Sequence, residues 1–434
     1  MTKTGWLIYT AVVSARLFLF IFCLTLFSFA IRLYRLTEPN HYYFDEVYHV
    51  VTAKAYANNN SAAYDPFSTA PEEGTAYDWL HPPLAKLIQA GSIKIFGDKP
   101  LGWRLPSTIF GTAIIPTTFV LGFLLFGQKV AVFSSLIIAF ENLTLVMSRI
   151  TMNDVFLVFF VLVSFIFANL YLKSGKVRHL FFASLFLGLC VATKWSGLWA
   201  IIAVSTLIFW HDFRERKLKL VIVSLIVFPF LIYLISYGQF WLQGHTISQF
   251  IDLHKQIWWY QNRADLEHPY GTTSLLCVPE GLDGPKSWCP WILDARPVYF
   301  SYEEYQDKTG YIYSLGNPLI FWIGVGAIYF FTLRFIKEKK KENLLVILGY
   351  FIFWLPWIFT PRILFMYHYL PSIPFMAIAM GTFLNFLYLS KFKLLALAIM
   401  VAFIISFFYF YPITSGYPID PDSLEKYLWL KTWR

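Results

Sequence analysis

TAVVSARLFLFIFCLTLFSFAI, residues 10–31, is followed after ten residues by Tyr42-Tyr43-Phe44-Asp45-Glu46-Val47-Tyr48. The first stretch is long enough to cross a bilayer as one helix, which takes roughly 20 apolar residues. It is longer than a typical signal core, and no small-residue cleavage site follows it, so it reads as a retained helix. The second stretch sets two adjacent carboxylates just past its end, and Glu38 alone precedes them among the acids. A carboxylate pair at a membrane boundary is costly unless it faces a cavity, water or a cation. The reading therefore starts from Asp45 as a candidate general base, with the rest of the chain as the scaffold that brings a substrate to it.

Composition supports a chain that lives in lipid. Of 434 residues, 57% are hydrophobic and 20% aromatic, and only 14% are charged, against about 25% in a soluble domain. One helical membrane unit spanning residues 1–434 is expected rather than several soluble domains. The net charge of +9 does not form a basic face suited to nucleic acid. The Lys and Arg residues cluster instead in short turns between apolar runs, the pattern of cytoplasmic loops. Cys23 and Cys190 fall inside apolar runs and read as packing residues. Cys277 and Cys289 share a polar loop where a disulfide is an open possibility. No Cys-x-x-Cys or His-Glu-x-x-His spacing is present, so no metal and no cofactor are expected.

Further apolar runs give about eleven helices. They are expected at about 105–126, to 147, 154–172, 179–193, 197–210, to 241, 317–336, to 360, 362–390 and to 412. Every basic turn then falls on one side, from Lys129 through Lys337-Glu338-Lys339-Lys340-Lys341 to Lys391 and Lys393. Two long loops, 32–103 and 242–315, fall on the other side, which is extracytoplasmic by this rule. The second loop is rich in aromatics, but its alternation is too weak to assign strands. The extracytoplasmic face collects Asp45, Glu46, Asp78, His81, Arg104, Arg149, Asp154, Lys194, Arg296, Arg362 and His368. Acids and cations on one face suit group transfer from an anionic lipid: a base takes the acceptor's proton and cations stabilise the departing phosphate.

Several short stretches carry a resemblance. Phe44-Asp45-Glu46-Val47 resembles the Asp-Glu motif in the first outer loop of protein O-mannosyltransferases. His81-Pro82-Pro83-Leu84-Ala85-Lys86, Trp103-Arg104-Leu105-Pro106-Ser107 and Ser148-Arg149-Ile150-Thr151-Met152-Asn153-Asp154 resemble further segments of that family. So do Thr193-Lys194-Trp195-Ser196-Gly197, His268-Pro269-Tyr270, Arg296-Pro297-Val298, Leu315-Gly316-Asn317-Pro318 and Tyr367-His368-Tyr369-Leu370-Pro371. The matches keep the family's order over nearly the whole chain. The resemblance implies an all-α polytopic GT-C membrane fold and inverting transfer of mannose from a polyprenyl (dolichyl-type) phosphate to Ser or Thr of a protein.

In that picture Asp45 is the base and Glu46 orients or holds the site. Arg104 is carried over as an important residue of the family, and His81, Asp78 and His368 join it as substrate-site candidates; Lys194, Arg149 and Arg362 are candidates for the carrier phosphate on charge and side alone. The expected partners are a lipid-linked sugar, a Ser/Thr-bearing acceptor protein and membrane lipid, with no nucleic acid. The stretch from His268-Pro269-Tyr270 to Arg296 is longer than in the family, and no inserted soluble domain is seen, which points to a prokaryotic type in a cell membrane. Two alternatives stand beside this reading. One is a same-fold transferase acting on a lipid or glycan, of the aminoarabinose-transferase kind. The other is a lipid-linked sugar transporter, which would place charges through helix interiors with internal repetition.

Overall fold

The computed structural model describes residues 3–212, 218–266 and 289–434. The Cys277–Cys289 pair and His268-Pro269-Tyr270 lie outside the described residues or their described side chains. Helix α1 (Lys3–Leu33) leads into the first long loop, which holds two helices of its own, α2 (Glu46–Ala57) and α3 (Leu84–Phe96). Helix α4 (Pro100–Phe126) begins earlier than the apolar run suggests, because Pro100 occupies the first helical turn, where its missing N–H costs nothing. Arg104 therefore sits inside a helix, one turn from its start.

The third apolar run is not one helix. It breaks into α5 (Gln128–Ala139) and α6 (Asn142–Met147) around Glu141. A buried carboxylate inside an apolar run needs donors. Glu141 finds them by capping α6, accepting from the N–H groups of Leu143 at 2.8 Å and Thr144 at 2.6 Å. The N–H of Asn317 adds a third bond at 3.3 Å.

Helix α7 (Asp154–Ser174) is apolar all round and mostly buried. A helix with no polar face belongs at the centre of a bundle. It packs against α4 and α8 (Val177–Thr193). Helices α9 (Leu198–Asp212), α10 (Leu218–Ile222) and α11 (Phe228–Ser236) follow, the last two joined by a π-helical turn, Val223–Val227. The second long loop contains α12 (Gly238–Leu242) and α13 (Ile247–Gln261).

That loop also contains a hairpin of β1 (Val298–Tyr305) and β2 (Lys308–Ser314), which corrects the all-helical expectation locally. A register shift between Tyr299 and Ser301 interrupts the hairpin. A bulge of this kind flips the inward face, which is why the alternation is unreadable in sequence. Helices α14 (Pro318–Glu338), α15 (Lys341–Phe351), α16 (Ile373–Leu389) and α17 (Lys393–Ser415) complete the bundle. A short β3 (Pro418–Ile419) then pairs with β2.

Seven of the described helices are long and apolar enough to cross a membrane, and four shorter apolar helices lie among them. The protein is a multi-pass integral membrane protein. The basic turns gather at one end of the bundle. Lys173 donates to the carbonyl of Leu124, and Lys341 to that of Leu172 at 3.1 Å. Lys129 and Lys393 both lie over the Tyr388 ring. Along α4, Arg104 lies about 30 Å from Leu124 at 1.5 Å per residue. Cys23 is exposed on α1 rather than packed, whereas Cys190 is buried.

Candidate active site

Asp45 is the residue preceding α2, but its carboxylate makes no capping bond to that helix. An Asp in this position usually accepts from the second or third helical N–H. Here Phe44 has φ 49, in the left-handed region that a bulky residue avoids. Its ring stacks on Phe300 of β1, with centroids 4.2 Å apart, and meets Phe365 and Tyr367 edge-on. The aromatic clamp holds a strained turn, and Asp45 faces a cavity of about 90 Å³. Among the described residues its carboxylate forms no salt bridge; the Tyr367 hydroxyl is its hydrogen-bond partner at 3.5 Å. Burial pushes the Asp45 carboxyl up to about 6. His49 opposes that rise, Asp78 adds to it, Lys194 opposes it and Asp154 adds to it.

The same cavity is lined by His49, His81, Asn153, Asp154, Lys194, Arg362, Tyr367 and His368. It thus brings together Asp45, His81, Lys194, Arg362 and His368 from three distant parts of the chain. Lys194 follows α8 and pairs with Asp154 at the start of α7 at 2.9 Å. Arg362 donates to Gln261 Oε1 at 2.8 Å and lies over the Tyr260 ring. His368 stacks near Tyr367 and meets Trp357 edge-on.

Asp78 sits one layer back as a buried anion. Its carboxylate accepts from Lys86 Nζ at 2.8 Å and meets His81 Nδ1 at 2.9 Å, and His49 Nδ1 lies 3.0 Å away. Burial alone would raise it, but His81, Lys86 and His49 together hold it well below the usual carboxylate range. Burial pushes His81 down to about 4 despite Asp78, so its imidazole is neutral at pH 7. His49 was not singled out from sequence. It lies four residues after Asp45, which places it on the same face of α2, and that spacing is the signal that could have found it.

Glu46, Arg104 and Arg149 do not line the cavity. Arg104 forms a two-pronged pair with Glu46 and also donates to the carbonyls of Leu36, Pro39 and His41. Glu46 additionally accepts from the N–H of Thr151 at 3.0 Å. The guanidinium of Arg149 is spent on the backbone carbonyls of Arg32, Tyr34, Arg35 and Ser415. Arg149 is therefore a clamp between the start of the first loop and the end of α17, a correction to its reading as a phosphate ligand. Nor does it pair with Asp154. Gly111 lets α4 approach this turn closely, since a Cβ there would meet Ser148 Oγ at 2.1 Å.

The model of the dolichyl-phosphate-mannose-protein mannosyltransferase family matches residues 22–247, and that of the C-terminal four-helix region of protein O-mannosyltransferases matches residues 246–433. The chain belongs to the protein O-mannosyltransferase family. A polyprenol-phosphate-mannose–protein mannosyltransferase of Mycolicibacterium smegmatis is 25% identical over 431 residues, covering 82% of each chain. The structure of the Saccharomyces cerevisiae Pmt1–Pmt2 complex bound to the sugar donor matches with TM-score 0.80 at 16% identity, over 96% of this chain and 93% of that one. ArnT of Cupriavidus metallidurans bound to undecaprenyl phosphate matches with TM-score 0.56 at 13% identity, over 96% and 75%. The GT-C architecture is thus present, and the protein is a glycosyltransferase rather than a transporter.

Proposed function

We propose that this protein transfers mannose from a polyprenyl-phosphate carrier to Ser or Thr hydroxyls of an acceptor protein, with inversion at the anomeric carbon. The observation that carries the mechanism is Asp45 itself: a carboxylate kept out of helix capping and, among the described residues, out of ion pairing, on the same cavity as Lys194 and Arg362. The acceptor oxygen attacks the anomeric carbon as Asp45 takes its proton. The bond to the phosphate oxygen breaks, and Lys194 and Arg362 hold the departing lipid phosphate. A free hydroxyl is far too weak an acid to ionise first, so proton transfer accompanies attack.

The family membership and the names of the bacterial relatives favour a protein acceptor over a lipid or glycan. The basic turns at the opposite end of the bundle support an extracytoplasmic site, and the bacterial relatives favour a prokaryotic cell membrane. Two guanidinium or ammonium groups suffice to neutralise a monophosphate, so no divalent metal is required. Activity retained in excess chelator is the expected result, and loss restored by Mg or Mn would overturn that part. The central test is transfer from labelled polyprenyl-phosphate mannose to a Ser/Thr-rich peptide in detergent. Asp45→Asn, still folded, should lose it. Equal transfer by both proteins would remove Asp45 from the chemistry, and transfer to lipid extracts alone would replace the acceptor class.

A further inference from the structure

Asn153 is 1% exposed and lines the cavity beside Asp154, yet among the described residues neither its amide oxygen nor its amide nitrogen has a hydrogen-bond partner. Leaving buried polar atoms unpaired is costly, so the position calls for a partner. Asn153 also had a local remedy. It stands just before α7, where an asparagine side chain ordinarily accepts from a helical N–H, but it makes no such bond. The helix uses only its backbone carbonyl, which accepts from the N–H of Leu157 at 3.2 Å.

The turn carrying Asn153 is fixed from both sides. The N–H of Thr151 is held by Glu46, and the carbonyl of Met152 accepts from Gln89 Nε2 at 3.2 Å. The turn is thus held by two hydrogen bonds beside Asn153, a residue that lines the cavity, while its buried amide is left unsatisfied among the described residues. A primary amide offers a donor and an acceptor side by side, the complement of two neighbouring hydroxyls on a sugar ring. Its neighbour Asp154 is the partner of Lys194, so Asn153 lies on the side of the cavity where the carrier phosphate and its attached sugar would sit.

We propose that Asn153 hydrogen-bonds ring hydroxyls of the donor's sugar and sets selectivity for that sugar. This rests on the transfer reaction proposed above. It makes Asn153 a donor-specificity residue, distinct from the base and from the phosphate cations.

The test compares wild type with Asn153→Leu, similar in shape but without polar atoms, as full-length protein in detergent. Thermal stabilisation is measured with polyprenyl phosphate and with polyprenyl-phosphate mannose. Wild type should gain an extra increment from the sugar. Asn153→Leu should lose that increment, keep the one due to the carrier, and melt no lower than wild type when unliganded. Its donor KM should rise on the order of tenfold with acceptor KM unchanged, and its preference for mannosyl over glucosyl carrier should fall. An intact sugar increment and unchanged donor KM in an active enzyme would overturn the inference alone, as would a rise confined to acceptor KM. Wild type that neither transfers mannose nor gains from the sugar would overturn the reaction and this inference together. If Asn153→Leu does not accumulate, Asn153→Ala carries the same comparison.

Discussion

Glu46 and Arg104, 58 positions apart, form a two-pronged ion pair, Nε to Oε1 at 2.9 Å and Nη2 to Oε2 at 2.8 Å, with both side chains fully buried. The pair does more than cancel charge. Arg104 gathers three carbonyls of the chain just before the motif, and Glu46 reaches the N–H of Thr151 in the turn before α7. Asp45 is the next residue to this knot, so its position is set from α4 and from the α7 turn together.

Breaking that pair should therefore cost stability and activity together. Removing one member of a buried pair leaves an uncompensated charge, worth about 3–5 kcal/mol. Glu46→Gln and Arg104→Met should each lower the melting temperature in detergent and abolish transfer. The double variant should recover part of the stability and none of the activity. Single variants that melt like wild type would show that the knot does not hold the site.

The pH profile should report Asp45. With its carboxyl raised to about 6, the base is ionised above that value and protonated below it, so transfer should fall as pH drops through about 6. His81, at about 4, does not titrate in this window, and His81→Gln should keep the same acid limb at reduced amplitude. Linkage gives a second check. A folded-state pKa above the unfolded value contributes stability that is present below about 4 and lost as pH rises through about 6. Asp45→Asn should consequently raise the melting temperature relative to wild type at pH 7.5 but not at pH 4. An equal difference at both values would contradict the raised carboxyl.

How much of this was legible in the sequence depended on range. The long apolar runs and the side of each basic turn follow from local composition, and α1, α4, α7 and α17 lie where those runs place them. Asp45 was legible because acids are rare in such a chain. Partners were not legible. Arg104, Arg149, Lys194 and Arg362 are all cations near one end, and only the closure of the bundle decides that two meet the cavity and two meet backbone or Glu46. The break at Glu141 was hidden for the same reason, since one of its donors, the N–H of Asn317, arrives from 176 positions away. Asn153 lay inside a stretch already singled out, but nothing in its sequence says that its side chain declines to cap α7.

Lys194 and Arg362 differ in their attachments, and their variants should differ accordingly. Lys194 is bound to Asp154, while Arg362 is half-buried and held by the neutral Gln261. Lys194→Met loses a phosphate partner and also leaves Asp154 buried without its cation. It should lower both kcat, by about 10²–10³ if it acts like one preorganised charge-stabilising donor, and the melting temperature. Arg362→Met should weaken product inhibition by polyprenyl phosphate with little change in melting temperature. An inhibition constant for polyprenyl phosphate that is unchanged in both variants would exclude them as its ligands.

Arg149 should behave as a clamp. Its guanidinium meets four backbone carbonyls, two of them, from Arg32 and Tyr34, at 2.7 Å, and a planar five-donor fork cannot be copied by an ammonium. Arg149→Lys should retain the charge and lose most of these bonds. If the residue holds the first loop to the end of α17, the variant melts at lower temperature, while the protein that remains folded keeps the wild-type donor KM. If it binds the carrier phosphate instead, the retained charge preserves stability and donor KM rises. Measuring melting temperature and donor KM on the same preparation separates the two, and a raised donor KM at unchanged stability would overturn the clamp.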